Sequence, residues 1–280
     1  MTSSESLGAR VHYDQRPELF ELMLDRNMNY SSGIYPQGDE DLDQAQLHKM
    51  ERIARIVDLK PGQHILDLGC GWCGPALYFA EKYDCRITGV TISPIQRQFA
   101  LDWAEKRGLS DRIQIDLIDV MEIDYPAGGF DQIMFLESII HMPRKAELFS
   151  KCRELLKPGG MLFIQESCYD KQSLEAQYRS DEGFHETDKA FGFTGHMCSG
   201  GEMFRILEEA GLHPHRLEDI SDDYCITLSQ WLDRLDQHQV TMQAVSEQAW
   251  TMLRRYLMIA LGTYRLGTTV CYMMAARKRK

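Results

Sequence analysis

Residues 64–74 read HILDLGCGWCG, an apolar strand that runs into a carboxylate and then into a glycine loop. Gly69, Gly71 and Gly74 satisfy the pattern G-x-G-x-x-G, which lets a backbone approach a nucleotide cofactor where a helix begins. The spacing alone allows either a dinucleotide or S-adenosylmethionine. The residues around the glycines therefore have to distinguish the two cofactors.

Strand and helix patterns alternate on both sides of this loop. The predicted strands are 64–68, 86–91, 113–117, 130–136 and 161–166, followed by one near 213–220 and an edge strand at 268–276. The predicted helices between the first five strands are 75–83, 94–107 and 145–156, with another at 41–59. Parallel neighbours need crossovers that cover both faces of a sheet. The pattern therefore predicts an α/β fold with a doubly wound, mostly parallel seven-stranded sheet.

Ligands of such sheets collect at the carboxyl ends of the strands, and the long segments that follow these ends are predicted to cover the site. The predicted parts are an N-terminal helical cover at 1–55, a cofactor-binding core at 56–166, lid insertions at 167–198 and 224–265, and the rest of the core sheet at 199–223 and 266–280.

Charge and composition limit the classes of function. The 280 residues include 31 Lys and Arg against 42 Asp and Glu, a net charge of −11, which argues against general binding to nucleic acid or anionic membranes. No apolar run approaches the roughly 18 residues of a membrane span, and no signal peptide is recognisable. A cytoplasmic protein without stable membrane insertion is expected.

The eight cysteines are scattered through predicted strands and helices, so reduced thiols are expected. Cys70 and Cys73 form a C-x-x-C, but no second cysteine pair or histidine pair completes a zinc site. No metal is predicted.

The second predicted strand argues against a dinucleotide. A dinucleotide site has an acid about 20 residues past the glycines to bind the ribose, and here only the polar side chains of Thr91, Ser93 and Gln96 are available. Asp67 would repel a pyrophosphate but complements the ammonium and sulfonium of S-adenosylmethionine. Asp119 follows the third strand, where a carboxylate can accept a hydrogen bond from adenine, although a helix cap is an equally simple role for it.

Several motifs carry a resemblance to a known family. HILDLGCGWCGPALYFAEKY, ITGVTISPIQ, LIDV, FDQIMFLESIIHM and LLKPGG, in this order, resemble the motifs of class I S-adenosylmethionine-dependent methyltransferases. HYD at 12–14, LMLDRNMNYSSGIYP at 22–36 and DLDQAQLHKMERI resemble the cyclopropane fatty acid and mycolic acid synthase group. The resemblance implies S-adenosylmethionine as cofactor, S-adenosylhomocysteine as product, and these cofactor-binding residues: Tyr30, Ser31, Asp67, Gly69, Gly71, Thr91, Ile92, Gln96, Asp119, Val120, Met121 and Glu137. The third glycine of the family motif is replaced by Cys73.

The cyclopropane synthases of this group hold a bicarbonate with a cysteine, a glutamate and a histidine. The matching positions in this chain are Ser32, Ile140 and Gln165, so all three ligand types are absent. Without that base, ring closure has no proton acceptor, and the scaffold is expected without cyclopropanation.

ESIIHMP at 137–143 instead resembles a motif of small-molecule methyltransferases that act on natural-product sugars and tocopherols. In those enzymes a histidine is the general base, supported by an acid. The corresponding residues are His141 and Glu166, and Glu137 is a further catalytic candidate that would orient the acceptor or the amino group of the cofactor.

Aromatic and polar residues of the N-terminal segment and lid are candidates for an apolar acceptor pocket, and packing within a helical lid explains them equally well. The predicted acceptor-binding residues are Tyr13, Tyr35, Tyr169, Phe193, His196 and Trp231.

The resulting hypothesis is a methyltransferase acting at oxygen, nitrogen or carbon of a small, partly apolar molecule of specialised metabolism. One alternative is C-methylation of an isoprenoid diphosphate. Two others are a cofactor-binding scaffold or cyclase that transfers no methyl, and an NAD-dependent oxidoreductase. Neither a nucleic acid nor a membrane is an expected partner, and homo-oligomer formation is left open.

Overall fold

A computed structural model describes residues 17–180 and 196–280 of the chain. Predictions that fall on 1–16 or 181–195, including those for Tyr13 and Phe193, lie outside the described residues. The described part contains one mixed β-sheet with helices on both faces.

The sheet has seven strands in the order β3-β2-β1-β4-β5-β7-β6. They are β1 His64–Leu68, β2 Arg86–Thr91, β3 Ile113–Leu117, β4 Phe130–Leu136, β5 Leu156–Tyr169, β6 His213–Asp219 and β7 Thr269–Arg277. The first five strands pair in parallel, and β7 is antiparallel to both of its neighbours. The predicted α/β fold class with a mostly parallel, doubly wound seven-stranded sheet is confirmed.

The prediction that the last strand lies at an edge of the sheet is wrong. Strand β7 inserts between β5 and β6, and β6 forms the edge. The physical reason is polarity, because most of β7 is buried whereas β6, with the sequence HPHRLED, is largely solvent-accessible. An apolar strand that is covered on both faces suits the sheet interior, and a charged strand suits an edge.

Side chains of β1, β2, β4, β5 and β7 are divided between two apolar clusters, as the two-residue period of a strand requires. Ile65 and Phe163 point into one cluster, whereas Leu66 and Leu162 point into the other. Both faces of the sheet are therefore buried, and the open positions for a ligand are at the ends of the strands.

Helices cover both faces. In chain order they are α1 Pro17–Met23, α2 Leu42–Ile56, α3 Gly74–Tyr83, α4 Pro94–Lys106, α5 Lys145–Leu155, α6 Glu175–Arg179, α7 Gly200–Glu209, α8 Ser221–Gln237 and α9 Gln239–Arg265. Local sequence explains several starts: Asp41 and Gln44 form a capping box on α2, and Ser93 caps α4. Among the described residues, every helix is too short or too polar to cross a membrane.

Helices α8 and α9 form an antiparallel pair. His238 separates the two helices, and the non-helical backbone of Ser246 produces a kink inside α9. The pair packs against α1 and belongs to the same apolar cluster as α2 and α3. This arrangement brings the N-terminal segment and the region after residue 220 together above the carboxyl ends of the strands.

Candidate active site

The site contains a cavity of about 470 Å³ at the carboxyl ends of β1, β2 and β4. Ten of the twelve predicted cofactor-binding residues line it: Tyr30, Gly69, Gly71, Thr91, Ile92, Gln96, Asp119, Val120, Met121 and Glu137. The other two, Ser31 and Asp67, lie outside its wall. Sequence reasoning omitted Trp72, Ser138 and Met142, which also line the cavity. Trp72 stands inside the glycine loop, so its position in the sequence was a usable signal.

The glycine loop is tight for two reasons, backbone conformation and close packing. Gly69 has a φ of 84°, and a Cβ on this residue would lie 2.5 Å from the Cβ of Ser138. A Cβ on Gly74 would lie 1.7 Å from the carbonyl oxygen of Asn27. The loop can therefore bring its backbone to the cavity and to the N-terminal segment only because these positions lack side chains.

Cys73, which replaces the third glycine of the family motif, adopts a left-handed conformation with a φ of 69°. It immediately precedes α3 and is completely buried. The turn thus keeps a glycine-like geometry with a side chain that favours it less. All eight cysteines are free thiols.

The far side of the cavity presents a hydroxyl–amide pair and a carboxylate. Thr91 Oγ1 donates to Gln96 Oε1 at 2.9 Å, which orients the Gln96 amide at the end of β2. Beyond β3, the carboxylate of Asp119 accepts from the backbone N–H of Met121 at 2.9 Å and so holds its own loop. A hydroxyl–amide pair followed by an oriented carboxylate suits a ribose and an adenine amino group.

Asp67 lies beneath the cavity with 4% of its surface exposed, and its Oδ1 has no hydrogen-bond partner among the described residues. Burial raises the pKa of Asp67 to about 7, and the nearby Lys49 cation opposes the rise. Lys49 Nζ donates to Asn29 Oδ1 and to Ser31 Oγ, which places Ser31 in a buried network behind the cavity. Burial lowers the pKa of Lys49 to about 8.

Glu137 follows β4 with a φ of 55° and lines the cavity. Its Oε1 accepts from the Ser32 N–H at 2.7 Å and from Gln165 Nε2 at 2.8 Å, and its Oε2 accepts from the Tyr224 hydroxyl at 2.6 Å. Burial raises the pKa of Glu137, and these three donors oppose the rise. Ser32 and Gln165 stand at positions that match bicarbonate ligands in cyclopropane synthases. In this chain both residues donate hydrogen bonds to the Glu137 carboxylate.

His141 is the last residue of a 3₁₀ turn, Ile139–His141, which we name the histidine turn, and it lines the cofactor cavity. Glu166 is 2% exposed and supports this turn through its backbone. Its Oε2 accepts from the Ile140 N–H at 3.0 Å, and its Oε1 accepts from the Ser167 N–H at 2.8 Å. Burial, followed by the Glu137 charge, raises the pKa of Glu166 to about 8.

A second cavity of about 220 Å³ lies on the other side of the histidine turn, where Ile140 forms part of its wall. The other lining residues are Ser167, Gln177, Tyr178, Met197, Tyr256, Ile259, Ala260, Thr263, Tyr264, Leu266, Thr268 and Thr269. All described lining residues are uncharged. Two polar groups of the wall form a hydrogen bond with each other, because the Ser167 and Tyr264 hydroxyl oxygens lie 2.6 Å apart.

The predicted acceptor residues occupy other positions. Tyr169 packs on the ring of Tyr178, and Trp231, only 1% exposed, packs against Tyr30 and Tyr224. Tyr35 is buried in the N-terminal segment, where its N–H donates to Asp223, and the carbonyl of His196 accepts from Lys145. None of these four residues lines either cavity.

Two tyrosines of α9, Tyr256 and Tyr264, line the second cavity and were missed by sequence reasoning. Together with Ala260 they repeat every four residues, which places them on one face of the helix. That spacing was the available signal. Within 17–180 and 196–280, no group of three or more His, Cys, Asp and Glu side chains is arranged to hold a metal ion.

Comparisons with known proteins give a consistent result. The family model described as mycolic acid cyclopropane synthetase matches residues 2–274. The methyltransferase GfsG of Streptomyces halstedii is 34% identical over 211 residues, which cover 75% of this chain and 74% of that protein. The 27-O-demethylrifamycin SV methyltransferase of Amycolatopsis mediterranei is 32% identical over 211 residues, 75% of each chain. The cyclopropane synthase MmaA2 of Mycobacterium tuberculosis superimposes with a TM-score of 0.90 at 20% identity, over 98% of both chains.

Proposed function

The chain belongs to the mycolic acid cyclopropane synthetase family and is an S-adenosylmethionine-dependent methyltransferase, and we propose that it methylates a hydroxyl of a neutral, mostly apolar small molecule. The observation that carries the proposal is the second cavity. It has no charged side chain among its described residues and meets the cofactor cavity at the histidine turn.

S-adenosylmethionine supplies an electrophilic methyl group when bound. The cofactor cavity fits this molecule, because its wall carries a glycine loop, a hydroxyl–amide pair and the Asp119 carboxylate, and the buried Asp67 Oδ1 outside the wall lacks a protein donor and would favour a cationic group nearby. Gly69 and Gly71 leave room for the methionine part, and Thr91 with Gln96 would bind the ribose. His141 of the histidine turn lines the same cavity as these residues.

Methyl transfer to an alcohol is an in-line displacement in which the hydroxyl loses a proton. His141 lines the cofactor cavity and its neighbour Ile140 lines the second cavity, so an acceptor in the second cavity would reach the methyl group across this turn. We assign His141 the role of general base. Glu166 supports it by holding the Ile140 N–H, and Glu137 fixes the chain that enters the turn.

The neutrality of the second cavity favours one acceptor class over others. A phosphate or diphosphate needs cationic donors, and the described wall offers hydroxyls, phenol rings and methylenes instead. The adjacent Arg254 and Arg255 are the basic residues of the lid that would give weak support to a phosphorylated acceptor, and Arg254 is paired with Asp236 at 2.8 Å. The relative whose name specifies 27-O-demethylrifamycin SV supports a hydroxyl on a large natural product as the methylated group.

The test is transfer of label from methyl-labelled S-adenosylmethionine to a panel of acceptors. The panel contains neutral hydroxylated macrolactones and aglycones, with phosphoethanolamine and geranyl diphosphate as charged comparators. We expect label in neutral alcohols only. Label confined to a phosphorylated acceptor would contradict the neutral class, and tight cofactor binding without transfer to any acceptor would favour a scaffold or cyclase.

The base is tested with His141→Ala. Turnover on the alcohol should fall about 100-fold or more, while the affinity for S-adenosylhomocysteine changes little, since general bases contribute about 10²- to 10⁴-fold. His215→Ala, on the exposed side of the edge strand β6, is the matched control and should behave as the unchanged protein. Equal turnover in the two variants would remove His141 from the mechanism.

A further inference from the structure

Lys145 is the first residue of α5 and is only 6% exposed. Its ammonium donates to two carbonyl oxygens, that of Met142 at 2.9 Å and that of His196 at 2.6 Å. Met142 directly follows the histidine turn, and His196 opens the second described part of the chain. One buried side chain thus joins the end of the turn to a segment of the predicted lid.

The position of Lys145 does not stabilise its own helix. A cation at a helix N-terminus opposes the helix dipole. Burial of an ammonium costs free energy unless hydrogen bonds and an opposite charge compensate it. The compensation comes from outside the helix, through the two carbonyls and the nearby Glu166 carboxylate.

Glu166 makes the complementary contact. It accepts the N–H of Ile140, inside the histidine turn, whereas Lys145 donates to the carbonyl of Met142, just after it. Two buried titratable side chains therefore hold the backbone on both sides of His141. The other titratable groups that influence Lys145 are the thiols of Cys168 and Cys198.

We propose that Lys145 is a positioning residue that, with Glu166, fixes the histidine turn from both sides and couples it to the lid at residue 196. The role does not require contact with the acceptor or the cofactor. It rests on the proposed function only in that His141 is the base whose position is fixed.

The test reads the position of His141 without turnover, so its outcome is independent of the acceptor. The full chain, with S-adenosylhomocysteine present, is labelled with ¹³C at its nine histidines, and the His141 signal is assigned with His141→Gln. In Lys145→Met the His141 signal should shift or broaden while the other histidine signals outside residues 181–196 remain. Lys145→Arg, which keeps the charge and several donors, should restore it.

Hydrogen exchange provides the second readout. In Lys145→Met, peptides that cover 139–142 and 196–199 should exchange about 10-fold faster or more, because a charge-assisted hydrogen bond to each segment is lost. Peptides of β1 and α3 should not change. Lys151→Met, on the same helix but partly exposed, is the matched control and should leave both readouts unchanged.

A His141 signal that stays in place in folded Lys145→Met would overturn the proposal, and so would faster exchange at 196–199 without any change at 139–142. If Lys145→Met does not fold, Glu166→Leu, which removes the acceptor of the Ile140 N–H, gives the same test from the other side of the turn. Its loss of the Ile140 contact should move the His141 signal, and an unmoved signal contradicts the proposal.

Discussion

At the scale of single residues, Asp67 shows how burial ties a ligand to proton release. Its pKa of about 7 means that the carboxyl is half protonated in neutral solution. A ligand with an ammonium group would favour the charged form and so lower this pKa. Cofactor binding at neutral pH should therefore release a proton from this position.

The first prediction follows from that release. The affinity for S-adenosylhomocysteine should increase as the pH rises from 6 to 8, and Asp67→Asn should weaken binding and flatten the pH dependence. The measurement is titration calorimetry in buffers with different ionisation enthalpies, which counts the protons released. Asp102→Asn, exposed on α4, is the control. An unchanged proton count in Asp67→Asn would mean that another group carries the effect.

A second prediction contrasts two glycines in first turns of helices. Gly74→Ala should destabilise the protein by about 3 kcal/mol, because its Cβ would meet the Asn27 carbonyl and displace the N-terminal segment. Gly201→Ala, in α7, meets no atom within 4 Å and should gain about 0.5 kcal/mol from reduced unfolded-state entropy. Urea unfolding measures both changes. Equal effects of the two substitutions would contradict the packing argument.

At the scale of secondary structure, α8 holds the N-terminal segment over the cofactor cavity. Thr227 Oγ1 accepts from the Gly33 N–H at 3.0 Å, and Asp223 Oδ1 accepts from the Tyr35 N–H at 2.6 Å. Tyr224 adds its hydrogen bond to Glu137. One helix therefore supports both the cover of the cavity and the carboxylate that lines it.

This arrangement gives a third prediction. Thr227→Val preserves shape but leaves the buried Gly33 N–H without its acceptor, which should cost about 1–3 kcal/mol. S-adenosylhomocysteine should also bind more weakly, since Tyr30 lies in the same segment. Thermal unfolding with and without S-adenosylhomocysteine measures both effects. Ser229→Ala, whose hydroxyl bonds within its own helix, is the control, and an effect of equal size there would count against the role of Thr227.

Sequence patterns predicted the first four strands well, because each is a short apolar run between turn signals. They underestimated β5, predicted as 161–166 and observed as Leu156–Tyr169, since its ends are set by pairing with β4 and β7. The same limit explains the edge position wrongly predicted for β7. Neighbour relations in a sheet depend on distant segments, which periodicity does not encode.

Sequence patterns could likewise predict some residues of the candidate site and not others. Glycine-loop and strand-end residues such as Gly69, Thr91 and Asp119 could be predicted, because motif position fixes their place at the strand ends. The Lys49 network could not, because it depends on how helix α2 packs against the N-terminal segment above the sheet. The identity of the acceptor-binding side chains is a property of tertiary structure.

At the scale of the whole molecule, buried carboxyls should give the ligand-free protein an unusual pH profile. Asp67 and Glu166 have pKa values raised to about 7 and about 8, and those of Glu137 and Asp25 are also raised. A raised carboxyl pKa stabilises the fold fully below the ordinary pKa near 4. That contribution is lost as the pH rises through the folded-state value.

The fourth prediction is that the free energy of unfolding falls between about pH 5 and pH 8, because these carboxyls hold protons in the folded protein that the unfolded chain releases. Glu51 and Glu218, whose pKa values are lowered, lose their stabilisation only near and below the ordinary value of 4.5. Burial lowers the pKa of Lys49 to about 8, so its contribution to the free energy of unfolding increases with pH only above about pH 8. Burial lowers the pKa of His64 below 6.5. The contribution of His64 to the free energy of unfolding therefore increases with pH up to about 6.5 and opposes the predicted decrease.

Urea unfolding at pH 5.5, 7 and 8, at constant ionic strength, measures this profile. Glu166→Gln should flatten its upper part, and Glu51→Gln should not. A protein that becomes steadily more stable from pH 5.5 to pH 8 would show that these carboxyls titrate normally.

The lining residues of the two cavities come from two different parts of the chain. The cofactor cavity is lined by residues up to Arg144, whereas the second cavity, apart from Ile140, is lined by residues from Ser167 onward. Recombination between these two parts would exchange most of the lining of the second cavity, and the incoming part would have to keep the α8 contacts of Thr227 and Tyr224 that support the cofactor cavity. If the second cavity holds the acceptor, as we propose, chimeras that are joined between residues 145 and 166 and keep these α8 contacts should change the acceptor and retain the affinity for S-adenosylhomocysteine.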